Sequence, residues 1–151
     1  MGGLIDINGT SYGTTETGGP DNDGSVHSIS TTGTEKVLHG FGGRSDGTFP
    51  VAGLIDVRGT LYGTTLSGGT CFVCMAYGSY GTIFSVTTNG TEKVLYDLTG
   101  FRDGANSVAG LTNLNGTLYG TTGFGGGSGC YYPYGCRIVF SFTPGGRNVR
   151  L

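Results

Sequence analysis

Three observations predict an all-β fold: a β-propeller-like repeat array of three four-stranded antiparallel blades. The first is a repeat. Gly-Thr-x-Tyr-Gly-Thr-Thr occurs at 9–15, 59–65 and 116–122, at spacings of 50 and 57 residues. A period near 50 marks one supersecondary unit copied in tandem. The second is alternation. Apolar residues recur at every second position in short runs, and no stretch carries a helical period. The third is punctuation. Gly supplies 33 of the 151 residues and falls at matching places in each copy, so the glycines read as ordered turns.

The whole chain, 1–151, reads as a single repeat array, with blade 1 at 3–52, blade 2 at 53–109 and blade 3 at 110–151. Each copy opens on an apolar patch: Gly3-Leu4-Ile5-Asp6, Gly53-Leu54-Ile55-Asp56 and Gly110-Leu111-Thr112-Asn113. A hairpin turn follows at Asn8-Gly9, Arg58-Gly59 and Asn115-Gly116. Asn-Gly between alternating stretches is the strongest short hairpin signal. The second strand carries the repeated pairs Tyr12-Gly13, Tyr62-Gly63 and Tyr119-Gly120. Those glycines imply a close backbone approach or an unusual dihedral. A variable loop comes next. The third strand starts from Ser25, Thr82 and Ile138, and the fourth from Thr34, Thr91 and Arg147.

A sheet of this kind must cover its faces by stacking on its neighbours. Val26, Ile29, Leu38, Ile83, Val86 and Leu95 are expected between blades. Propellers close with about four to eight blades, so three leave two faces bare. The chain is therefore expected to join a homo-oligomer or further repeats of the same polypeptide, as a ring or a filament. The expected contact is head-to-tail, copy three on copy one of the next chain, with Val26 and Ile138 on the outer faces.

Net charge is −2 and charged residues are 12% of the chain, so no footprint for nucleic acid or anionic membrane is present. The apolar runs are too short for a membrane span. The opening Met1-Gly2-Gly3-Leu4 lacks the regions of a signal peptide.

The pattern from Gly53 to Gly104 joins Gly-Leu-Ile, Gly-Thr-Leu-Tyr-Gly-Thr-Thr, Gly-Thr-Ile-Phe-Ser, Gly-Thr-Glu-Lys-Val-Leu-Tyr and Asp-Gly. It resembles the tandem GloVer repeat, a bacterial family of secreted or surface-attached proteins with varied C-terminal anchors. The resemblance covers essentially the whole chain. It implies a propeller-like β fold and an extracellular or cell-surface address, and it transfers no catalytic residues. Copy one departs from it with His27 where the others have Phe84 and Phe140, and copy three with Thr112-Asn113.

Cys71 and Cys74 lie in the variable loop of copy two, Cys130 and Cys136 in that of copy three. Copy one has neither the insertion nor the cysteines, so each pair reads as a local disulfide staple acquired with its loop. A zinc site and a pairing between loops are the rivals. Phe72, Tyr77, Tyr80, Tyr131, Tyr132 and Tyr134 crowd the same loops. Their rings suit a sugar or protein partner, or they cover the loops' own small core or an adjacent subunit. The repeated carboxylates Asp6/Asp56, Glu35/Glu92 and Asp46/Asp103 read as turn holders. Asp21-Asn22-Asp23-Gly24 reads as a solvated turn with a faint calcium pattern. Three Asn-Gly-Thr sequons, at Asn8, Asn89 and Asn115, are explained by turn chemistry. His27 and His39 have no counterpart and show no paired nucleophile and acid, so no triad is expected. The expectation is a non-enzymatic structural or assembly module without a cofactor. A glycan- or protein-binding propeller is the alternative, and an enzyme completed by another chain comes last.

Overall fold

The computed structural model describes residues 2–42, 45–70, 80–100, 103–126 and 136–145, and the backbone of 149–150. Among the described residues, twelve strands form three separate four-stranded antiparallel sheets. Sheet 1 holds β1 (Ile5–Ile7), β2 (Thr10–Thr15), β3 (Ser25–Ser30) and β4 (Glu35–Gly40). Sheet 2 holds β5 (Ile55–Val57), β6 (Thr60–Thr64), β7 (Thr82–Thr87) and β8 (Glu92–Asp97). Sheet 3 holds β9 (Thr112–Leu114), β10 (Thr117–Thr121), β11 (Val139–Phe142) and β12 (Val149–Arg150). Within each, strands pair in chain order. Among the described residues no closed barrel or ring of sheets forms.

The first hairpin of every sheet uses the same device. Asn8, Arg58 and Asn115 have φ of 53°, 55° and 53°, and Gly9, Gly59 and Gly116 follow at 79°, 80° and 85°. Positive φ at both central residues matches the right-handed twist of the flanking strands. Asp6, Asp56 and Asn113 each accept a hydrogen bond from the turn Gly N–H, at 3.3, 2.8 and 2.9 Å. The repeated Asp6 and Asp56 thus hold turns.

Register aligns the three sheets residue by residue. Gly13 opposes His27, Gly63 opposes Phe84 and Gly120 opposes Phe140. Ser11, Leu61 and Leu118 oppose Ile29, Val86 and Phe142. Since side chains alternate, these positions share one face, here the leading face. Tyr12, Tyr62 and Tyr119, with Val26, Ile83 and Val139, stand on the opposite, trailing face.

Two clusters show how the sheets stack. Tyr12, Val26, Leu38 and Phe41 of sheet 1 pack with Leu54, Leu61, Phe84 and Val86 of sheet 2. Tyr62 and Ile83 of sheet 2 pack with Leu111, Leu118, Phe140 and Phe142 of sheet 3. Each contact therefore sets a trailing face on the leading face of the next sheet. The first strands line up accordingly, β1 against β5 and β5 against β9.

This packing corrects two sequence expectations. Val26 is not on an outer face: it is fully buried between sheets 1 and 2. Gly13, Gly63 and Gly120 have no left-handed φ, so the unusual dihedral is absent and close approach remains. A Cβ on Gly63 would stand 2.6 Å from the Phe84 ring, and one on Gly120 would collide with Phe140.

Candidate functional site

The linkers after β4 and β8 are tied down by the repeated carboxylates. Asp103 accepts from Thr99 N–H at 3.0 Å and from Tyr96 OH at 2.9 Å. Burial and then the Asp103 contact push the Tyr96 hydroxyl up to about 12. Asp46 takes the matching place, 3.1 Å from His39 Nε2 and 3.3 Å from Gly42 N. His39 thus replaces Tyr96, and its ring packs edge-on against Phe41 at 4.8 Å. Asn22 accepts from Gly18 N–H at 3.1 Å and serves its turn.

His27 is less isolated than its sequence position suggests. Its Nε2 lies 2.5 Å from Ser25 Oγ, and its Nδ1 lies 2.7 Å from Glu35 Oε1. The second contact has ion-pair distance without hydrogen-bond geometry. The structure therefore brings together a serine, a histidine and a carboxylate that the sequence did not connect. The order is that of a triad, but the environment is not that of a nucleophile. Ser25 has no exposed surface, and its hydroxyl also pairs with Thr15 Oγ1 at 2.7 Å. Thr65 and Thr82 form the same hydroxyl pair at 2.9 Å in sheet 2, so the pair is a repeated piece of architecture.

The network lies on the leading face of sheet 1, beside a concavity of about 190 Å³. A larger groove of about 490 Å³ lies between Leu66, Asn106, Val108, Phe124 and Arg137. Among the described residues no group of three His, Cys, Asp or Glu side chains is placed to hold a metal ion. No described helix is long and apolar enough to cross a membrane.

Most of the loop residues singled out from the sequence, Cys71, Phe72, Cys74, Tyr77, Cys130, Tyr131, Tyr132 and Tyr134, lie outside the described residues. Cys136 is disulfide-bonded. Tyr80 is described. Its ring lies over Gly100, 2.6 Å from where a Cβ would stand, and its carbonyl accepts from Asn106 N–H at 2.8 Å. It serves packing between loop and linker.

Glu92, expected from its repetition to hold a turn, stands instead in a half-buried place between sheets. It shares the face of Val86, its partner across the strands, and so points toward sheet 1. Burial, and secondarily Asp46, push its carboxyl from 4.5 up to about 7. Glu92 Oε1 has no hydrogen-bond partner. A raised folded-state value penalises folding with the charged form. The penalty is absent below pH 4.5, grows between 4.5 and 7, and is complete above 7. Glu92→Gln should therefore stabilise the chain at pH 8 by about 1 kcal/mol, discounted for partial solvation. The gain should shrink as the pH falls to 5. Urea midpoints of both chains at pH 8 and 5 check this, and a gain independent of pH would contradict it.

Across known proteins, the model of the Gloeobacter/Verrucomicrobia repeat family matches residues 1–151. No curated protein and no solved structure matches the chain.

Proposed function

We propose, for a chain that belongs to the Gloeobacter/Verrucomicrobia repeat family, a non-enzymatic extracellular structural module that joins other repeat sheets through its exposed blade faces. The partner is a second copy or further repeats, and the completed stack is a propeller. One observation carries this reading. Two internal contacts follow one pattern, trailing face on leading face, and the trailing face of sheet 3 is left open. There Tyr119 is 38% exposed and Val139 62%, whereas their equivalents Tyr12 and Val26 are at 7% and 0%. Large apolar faces on soluble chains mark interaction sites. Staples within Cys71/Cys74 and Cys130/Cys136 belong to the same proposal and suit an oxidising compartment.

The test is sedimentation of the chain from about 1 to 300 μM, a span chosen to bracket weak association. Reversible association is expected, and Tyr119→Lys with Val139→Lys should suppress it. A monomer at every concentration would remove the self-association reading. The groove at Asn106, Phe124 and Arg137 favours a second reading, because it sets apolar surface beside polar groups as sugar sites do. Saturable glycan binding lost in Arg137→Ala would support that one instead.

A further inference from the structure

The two outer faces of the array are not equivalent. The trailing face of sheet 3 repeats the pattern of the faces that are covered. Thr117, Tyr119, Thr121, Val139 and Ser141 take the places of Thr60, Tyr62, Thr64, Ile83 and Ser85. At these five positions it matches the sheet that seats a neighbour.

The leading face of sheet 1 does depart. Where sheets 2 and 3 present Leu61 and Leu118, it presents Ser11. Where they present Phe84 and Phe140, both fully buried, it presents His27. These two side chains are the centre of each internal contact. Losing both replaces the centre of the apolar plug with a polar network, while Leu4, Ile29 and Val37 around it stay exposed at 68%, 40% and 51%. His27 is held by Ser25 at 2.5 Å and lies 2.7 Å from Glu35, whose side chain is 63% exposed. Covering this face would strip water from the imidazole and the carboxylate, which is costly without new partners. Terminal repeats of stacked arrays carry a polar outer face for the same reason.

We infer that sheet 1 is a cap and that the trailing face of sheet 3 docks the leading face of another repeat sheet, one carrying Leu at the Leu61 position and Phe at the Phe84 position. The array then grows in one direction only. This rests on the stacking reading above and names its polarity and partner. The intact leading face of a second copy is excluded as that partner. The wild-type chain can then meet its own kind only symmetrically, sheet 3 against sheet 3, a contact that closes at a dimer.

The experiment restores the missing plug. Ser11→Leu with His27→Phe gives sheet 1 the leading face of sheets 2 and 3. Both positions are on an outer face, so the substitutions add no bulk between sheets, and circular dichroism with a melting curve checks the fold. The double variant should form head-to-tail assemblies larger than a dimer by sedimentation. Adding Val139→Lys to it should abolish them, since the docking face is then blocked. That triple variant should still capture one wild-type chain in a mixture, which keeps the inference testable if the double variant precipitates. Rings or filaments formed by the wild-type chain would overturn the cap while leaving the stacking function intact. A double variant no larger than the wild type, with no capture by the triple variant, would overturn the docking rule. A monomeric wild type with an assembling double variant would remove natural self-association and keep the polarity.

Discussion

Phe84→Ala is expected to lower the unfolding free energy by about 3–5 kcal/mol, the usual range for an aromatic ring removed from a core. Phe84 has no exposed surface and stands at the centre of the contact between sheets 1 and 2. Its ring meets Phe41 at 5.0 Å with planes 71° apart, an edge arrangement that adds to burial. The residue opposite it across the strands is Gly63. A glycine has no side chain to move into the space, so the cavity would collapse little, and the cost should fall in the upper half of the range. The comparison is His27→Ala, the same register position in sheet 1, where no sheet covers the face. That change should cost less than half as much. Urea midpoints at unchanged slope measure both. Equal costs would mean that sheets 1 and 2 are not packed through this ring.

The same contact explains how far the sequence could be read. Turns and strands were legible because each rests on local chemistry. Asn8-Gly9 and Asn115-Gly116 adopt the positive φ that their residue types favour. Faces were harder. Val26 and Ile29 both suit a buried strand, but three residues apart they point to opposite sides. One ends at 0% exposure and the other at 40%. Period-2 alternation says that a strand has two faces, not which one a neighbour covers. His27 looked solitary because its carboxylate neighbour, Glu35, lies on the next strand and diagonal to it, opposite Ile29. The turn at Gly33, closed by its N–H to Ser30 O at 2.9 Å, was the signal that could have set Glu35 opposite Ile29. Glu35 and Glu92 show the limit most plainly. The same letter sits at the same repeat position, yet only Glu92 has another sheet over it. Stacking order, not local sequence, moves its carboxyl.

Gly63→Val should cost about 2–3 kcal/mol, near the top of the range for overfilling a packed core. The reason is separable from backbone strain. Gly63 has no left-handed φ, and valine favours strands, so conformational preference alone would make the change neutral or stabilising. What opposes it is space. A Cβ at this site would stand 2.6 Å from Phe84 Cζ, 2.9 Å from Cε1 and 3.0 Å from Leu54 Cδ2. Phe84 cannot retreat, because Phe41 holds its other side. Gly120→Val meets the matching obstacle in Phe140 and Leu111 and should cost a similar amount. Gly13→Val supplies the control. Its Cβ would touch only the end of Leu4, which is 68% exposed and free to swing away. That substitution should stay within about 0.5 kcal/mol of the parent. Combining Gly63→Val with Phe84→Leu should recover part of the loss, because the two positions share one space and their effects are coupled. Thermal or urea unfolding of the set is sufficient. If Gly13→Val proved as damaging as Gly63→Val, the glycine of the repeated motif would serve the strand itself and not the ring that the neighbouring strand of its own sheet lays across it.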